Sequence, residues 1–530
     1  MGRGLALSLV VCAALSGAAI ASVNRGAGLG LLAAGGAAGS VLGLWLVRSP
    51  GMLRRGRGHP LEAIAVVGVL GFFLPLLTMD AAPGADMAMH AAIARALVDG
   101  SDALSAAWGT VGVALYPKGL AASMALVAPA VGMAKASLLA AGLAHAVVLL
   151  GLAAFLSTVV RSRWPFALAT LAVLASKSPQ SFFDWGGNPT AMAFGLALFA
   201  VALLGQAWAS AESPAPVAPA VAGASLLLLG AAATHPAGAL AGLLSAAALP
   251  VLGRPTSKGI AGAVVALAVF GAGMLALWLG GPQVSPAEAD WIADYQRNVE
   301  GVLRGPPALF AIEVWRGLAQ RLGTAWTVTV AVAALVLLAA RLWKPVVVVA
   351  LAVVATGALL ALGPSIPGAG VLLYPARFAP LLLVATAPLV GWAFERLEGR
   401  LRAPAKAALV ALAVTAAVVN VRTFQRATPM VTRNDLAAIA CVAKTVPKGA
   451  VIEGAYGDAT QWIPALTGLA VTAAHPHITL DDEIKAQPQL RPTYRFVGER
   501  LRYGAPLEGR TPAGPALCTF GKAALIRLTE

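Results

Sequence analysis

Two aspartates and a histidine stand close together in "TMDAAPGADMAMHAAIARALVDG", which begins at Thr78 directly after an apolar run. A carboxylate such as Asp80 or Asp86 can act as general base toward a hydroxyl, or hold a divalent cation against a phosphate. If residues 86–99 are helical, Asp86 and His90 lie four apart on one face. Such a pair can bind a metal ion (Mg or Mn) or shuttle a proton. The plainer alternative makes Asp80 a polar end to the preceding span and Asp86 a charge favoured by a helix N-terminus.

Other polar residues interrupt apolar surroundings. In "VALYPKGLAA", Tyr116, Pro117 and Lys118 mark a return to apolar sequence, and Lys118 can meet a lipid phosphate or snorkel to an interface. In "SFFDWGGNPTAMAFGLAL", Gly186 and Gly187 permit a tight turn, Asn188 follows, and Pro189 suits a helix start. Asp184 and Trp185 can add a polar and a stacking surface to a pocket there, or serve as a cap and an aromatic-belt residue. His235 in "AAATHPAGAL" and Arg377 in "LLYPARFAPLLL" break apolar runs. Ionisable groups at membrane depth are costly unless they pair or line a cavity, and an arginine can grip a phosphate through two parallel hydrogen bonds. His145, alone in "AGLAHAVVLL", reads as a helix-packing residue. No Walker loop, GxGxxG, HExxH or CxxC occurs, so nothing points to ATP or a nicotinamide cofactor.

The elements that must position these residues are mostly apolar helices. The 530-residue chain has a mean hydropathy of +0.80 and only 12% charged residues. Runs of about 18 or more apolar residues recur along it, which predicts a polytopic α-helical membrane protein with about 13 crossings. The net charge of +15 lies largely in short links between those runs. Positive-inside orientation accounts for it there, and no basic patch interleaved with aromatics suggests nucleic acid. The links "RSPGMLRRGRGHP", "RSRW", "GRPTSKG", "RLWK" and "ERLEGRLRAPAK" are placed in the cytoplasm. The loops 80–118 and 281–322 and everything after about residue 422 are then external. Region 119–159 is long enough for two helices, yet orientation permits an odd number of crossings, so "GLAASMALVAPAVGM" is expected to be re-entrant or to lie at the surface. Residues 86–99 read as an interfacial helix, and 284–322 hold two further amphipathic candidates. The first apolar run, "MGRGLALSLVVCAALSGAAIASV", reads as a transmembrane helix in preference to a cleaved signal peptide.

A transmembrane unit, 1–424, is thus expected to precede a small extracytoplasmic α/β domain, 425–530. "GAVIEGAY", "GLAVTAAH" and "ALIRL" read as its strands. In an oxidising compartment Cys441 and Cys518 are expected to form a disulfide, the alternative being two buried thiols.

This layout resembles the GT-C superfamily of polytopic glycosyltransferases. An apolar helix leads into an acidic external loop with surface helices, then "YPKG" at 116–119, many spans, and an external domain. "DWGGNPTAMAFGLALFAVALL" is similar to a Gly-Gly-x-Pro helix start in bacterial relatives. "YGDATQWIPALTGLAVTAAHPH" is similar to an Asp-Gly-Ser-x-Trp-x-Pro-Ala element, with Ala459 in place of the glycine and Leu469 in place of a later arginine. Two spans precede the loop where many members have one, and no adjacent acidic pair opens it. The resemblance implies an enzyme of the bacterial inner membrane that moves a sugar from a polyprenyl-phosphate donor to an envelope glycan, lipid or protein. It implies Asp80 or Asp86 as catalytic acid, with His90 nearby. Lys118, Arg377 and His235 would face the donor phosphate, and Tyr116, Asp184, Trp185 and Asn188 would line the pocket. The alternatives are a transporter or flippase of a lipid or polar solute, and a non-catalytic envelope assembly protein.

Overall fold

The computed structural model describes, apart from isolated positions, residues 3–23, 27–48, 78–100, 117–160, 165–177, 186–209, 217–246, 256–279, 322–362, 375–398, 431–475, 488–500 and 515–528. The expectations for Tyr116, Asp184, Trp185, the segment 284–322 and most of the spans 61–79 and 405–421 lie outside the described residues.

The apolar runs fold as helices: α1 (Arg3–Ala21), α2 (Leu29–Arg48), α3 (Ala85–Asp99), α4 (Gly119–Val131), α5 (Met133–Val159), α6 (Pro165–Ala175), α7 (Asn188–Ala209), α8 (Val217–Thr234), α9 (Pro236–Leu244) and α10 (Ser257–Leu279). They continue as α11 (Thr324–Ala339), α12 (Trp343–Leu362), α13 (Pro375–Phe378) and α14 (Leu381–Glu398). Among the described residues, Leu29–Arg48, Met133–Val159, Asn188–Trp208 and Val217–Thr234 are long and apolar enough to cross a membrane, and several shorter apolar helices accompany them. This is compatible with a membrane protein.

Close backbone approach holds the bundle together. α1 packs on α2 where Gly35, Gly39 and Gly43 meet Gly17, Ala13 and Val10, and a side chain on these glycines would strike the facing helix. Small residues at four-residue spacing are how apolar helices associate when lipid competes for every larger apolar side chain. α7 lies at the centre, packed on α5, α8 and α9 and buried through most of its length.

The compound region 119–159 divides at Gly132, whose φ of 82° is a left-handed conformation open to glycine. α4, with 13 residues, spans about 20 Å and falls short of a ~30 Å hydrocarbon layer, whereas α5, with 27, exceeds it. His145 sits on the buried side of α5, its Nδ1 2.8 Å from the Ala141 carbonyl, as a packing residue would.

Residues 431–528 differ in character. α15 (Arg433–Thr445) opens on a reciprocal cap: the Thr432 hydroxyl accepts from Asp435 N, and the Asp435 carboxylate accepts from Thr432 N at 2.9 Å. The strands are β1 (Val451–Glu453), β2 (Ala470–Val471), β3 (Ala473–His475), β4 (Ile478–Thr479), β5 (Tyr494–Val497), β6 (Ala516–Phe520) and β7 (Ala523–Arg527). Five form a mixed sheet in the order β2-β1-β5-β7-β6, parallel across β2-β1-β5 and antiparallel on either side of β7. Asp435 also accepts from Glu499 N at 2.8 Å, which ties the helix start to the end of β5. Cys441 on α15 and Cys518 on β6 form a disulfide with a Cα–Cα distance of 6.6 Å.

Candidate functional site

α3 begins after Gly84 and ends at Gly100, whose left-handed backbone donates to Ala96 O. Asp86 is in its first turn, where the helix dipole favours an acid, and His90 follows one turn later at 1% exposure. The helix predicted over 86–99 forms, but it does not lie free at an interface. Met87, Ala88, Met89, Ala91, Ala92, Ile93 and Ala94 are all buried. One side packs on α4 and α5. The other is covered by the C-terminal region, through the 3-10 turn Ala459–Trp462, α16 (Ile463–Thr467) and β3. Asp86 at its start is half-buried, and toward its C-terminal end Arg95 and Asp99 form an exposed ion pair.

The turn before α7 locks onto the start of α3. Gly186 has φ 91°, and a Cβ there would stand 2.9 Å from Met87 N and 3.0 Å from Asp86 Cβ. Asn188, fully buried, donates its amide to Met87 Sδ at 3.1 Å, and its Oδ1 has no hydrogen-bond partner. A buried amide oxygen left so is costly unless something else fills its place.

His235 separates α8 from α9. Its extended backbone (φ −168°, ψ 114°) breaks the helix, and Pro236 restarts it as the first helical residue. The ring is 7% exposed, and its Nδ1 lacks a hydrogen-bond partner. Arg377 and His90 both lie close enough for their charges to act on it. Arg377 is on the short α13, packed on α9. Gly119, the last residue of "YPKG", abuts Thr234 so closely that a side chain there would collide with it. Half-buried Lys118 therefore enters α4 beside the His235 break.

Six of the residues singled out in the sequence, Asp86, His90, Lys118, Asn188, His235 and Arg377, thus occupy one neighbourhood at the ends of apolar helices. Asp80 lies in the bend before α3 and is half-buried. No contact ties it to this group, although the adjoining Ala82 N donates to Ser137 Oγ at 3.1 Å. Asp86 is therefore the better placed of the two acids. Asp86 and His90 offer two ligands for a divalent cation. No third His, Cys, Asp or Glu joins them among the described residues.

The sequence placed Asp458 and Trp462 in an Asp-Gly-Ser-x-Trp-x-Pro-Ala-like element without giving either a role. Asp458 caps the 3-10 turn that covers α3, accepting from Thr460 N at 2.8 Å and from Gly498 N at 3.3 Å. Burial pushes its carboxyl up to about 6, against the opposing pull of those hydrogen bonds. Trp462 is fully buried, and its indole N–H has no acceptor. The signal was present in "GDATQW", an acid two residues before a potential amide donor in a turn, but nothing in the local pattern says which helix that turn will cover. Compared with known families and with curated proteins, the chain matches no family model and no curated protein.

Proposed function

We propose that the protein transfers a sugar from a polyprenyl-phosphate donor to an envelope acceptor, in the manner of GT-C glycosyltransferases. In this reading about 13 helices cross the bacterial inner membrane, and residues 425–530 lie on the external face together with α3. One observation carries it: His90 and Arg377, from two other parts of the chain, lie within electrostatic reach of His235 where apolar helices end. Two buried imidazoles and a half-buried guanidinium at a membrane edge fit a lipid-borne phosphate. The acceptor hydroxyl attacks the anomeric carbon while the bond from that carbon to the phosphate oxygen breaks. The hydroxyl proton passes to Asp86 or His90, and the departing lipid phosphate keeps the bonding pair, its charge balanced by Arg377.

The test is binding of polyprenyl phosphate and its sugar conjugates to the protein in lipid nanodiscs. Arg377→Ala is expected to weaken binding roughly tenfold to a hundredfold, the worth of a charge-assisted hydrogen bond. Asp86→Ala is expected to retain binding and lose transfer, with Asp80→Ala close to wild type. No saturable binding by folded protein would overturn the proposal.

The interrupted helix at His235 favours a second reading, since transporters bind solutes at such breaks. Uptake that survives Asp86→Ala but not His235→Ala would select it. A non-catalytic assembly role would instead leave Asp80, Asp86 and His90 all replaceable.

A further inference from the structure

At the end of the bundle where α11 and α14 finish and α12 begins, a groove opens between α12 and α14. Its outer part is a cavity of about 550 Å³ with Lys344, Arg396 and Glu395 at the mouth. Its inner part, about 290 Å³, is walled by apolar residues of both helices as far as Leu359 and Leu381. The two parts share Val348 and Trp392. The Trp392 indole is held at that junction by donating to Val159 O at 3.1 Å. Pro388, inside α14, lines the inner part and has no N–H to donate to the carbonyl one turn back. From Lys344 to Leu359 the groove follows α12 for about 22 Å, more than half the ~30 Å thickness of a bilayer's hydrocarbon layer.

The mouth has a second distinguishing feature. α11 ends in a Schellman turn, with Leu342 N donating to Leu337 O and Arg341 N to Leu338 O, both at 2.8 Å. The left-handed position of that turn is ordinarily glycine, yet here Arg341 holds it at φ 59°. Among the described residues it is the one non-glycine with positive φ. Leu337 and Leu342 of this turn line the cavity, whose mouth carries two cations, Lys344 and Arg396, against one carboxylate, Glu395.

We propose that this groove binds one anionic phospholipid of the bilayer, its acyl chain along α12 and α14 and its phosphate at the cationic mouth. Apolar depth of leaflet scale ending in basic groups at a helix terminus is the chemistry that retains such a lipid. The cationic mouth lies at the opposite end of α14 from Arg377, so the phosphate position is separate from that of the donor proposed above. It rests only on these helices lying in a bilayer and stands if sugar transfer is disproved.

The experiment is native mass spectrometry of the full chain, titrated with phosphatidylglycerol and with phosphatidylcholine of the same acyl chains. One phosphatidylglycerol is expected to bind roughly tenfold or more tightly than phosphatidylcholine. The variant Lys344→Gln/Arg396→Gln, altered at two exposed positions, is expected to remove that preference. Ala385→Phe, which fills the inner part, is expected to abolish binding of both lipids. Equal affinity for the two lipids, or a preference that survives the double variant, would overturn the proposal. So would displacement of phosphatidylglycerol by polyprenyl phosphate in a manner that depends on Lys344, which would reassign the groove to the donor.

Discussion

The carboxyl of Asp458 makes the covering of α3 sensitive to pH. Burial raises it from an ordinary 3.8 to about 6 in the folded chain. The folded state therefore binds this proton more tightly than the unfolded state does. Its contribution to stability is fully present below about pH 4 and is lost as pH rises through about 6. A shift of about two units corresponds to about 3 kcal/mol, or roughly a hundredfold in local opening. The measurement is amide exchange in the full chain at Thr460 and Gly498, the two donors to this carboxylate, expressed as protection relative to the unstructured rate at each pH. Protection is expected to fall between about pH 4 and 7 in wild type. In Asp458→Asn it is expected to be lower at acid pH, because Gly498 N then faces an amide nitrogen, and to be flat with pH. Protection that rises with pH, or an equal slope in the variant, would refute the assignment of the linkage to Asp458.

Two further outcomes follow from the packing. Replacing Cys441 and Cys518 with alanine opens a constraint between residues 77 apart, worth up to about 4–5 kcal/mol by loop-closure entropy. It is expected to lower the denaturation midpoint of the C-terminal region, as followed by amide exchange across α15 and the strands β5, β6 and β7. Gly186→Ala places a Cβ against the backbone of Met87 in a left-handed conformation and is expected to cost about 2–3 kcal/mol. The same change should shift the start of α3 and raise protease sensitivity near Asp86.

Much of this was legible from the chain. The apolar runs mark α1, α2, α7 and α8 to within a residue or two, because each begins or ends at a polar or proline residue. The cysteine pair was legible because two thiols stand in a polar region with strand and helix signals. The six clustered residues stood out because each interrupts apolar sequence at a cost that needs a reason. The split of α13 from α14 around Pro380 was not read, since a proline beside an apolar run looks the same at a helix start as at a break. β5 and β6 were missed as well. Their sequences, "YRFV" and "ALCTF", are too short for alternation to register. Least legible was the partner of α3. Its Ala- and Met-rich faces suit a bilayer surface and a protein cover equally well, and pairing across hundreds of residues leaves no local periodicity.

That pairing also fixes an order of events. α3 ends at Asp99, and the turn that covers it starts at Ala459, 360 residues later in synthesis. At about 5–20 residues per second, the apolar face of α3 is made roughly 20–70 s before its cover exists. During that interval the nascent helix has only the bilayer surface or a chaperone to shield it. The neighbourhood of Asp86 and His90 is therefore finished late, and a ribosome that stalls within the last helices of the bundle leaves a membrane-inserted chain whose site has never closed.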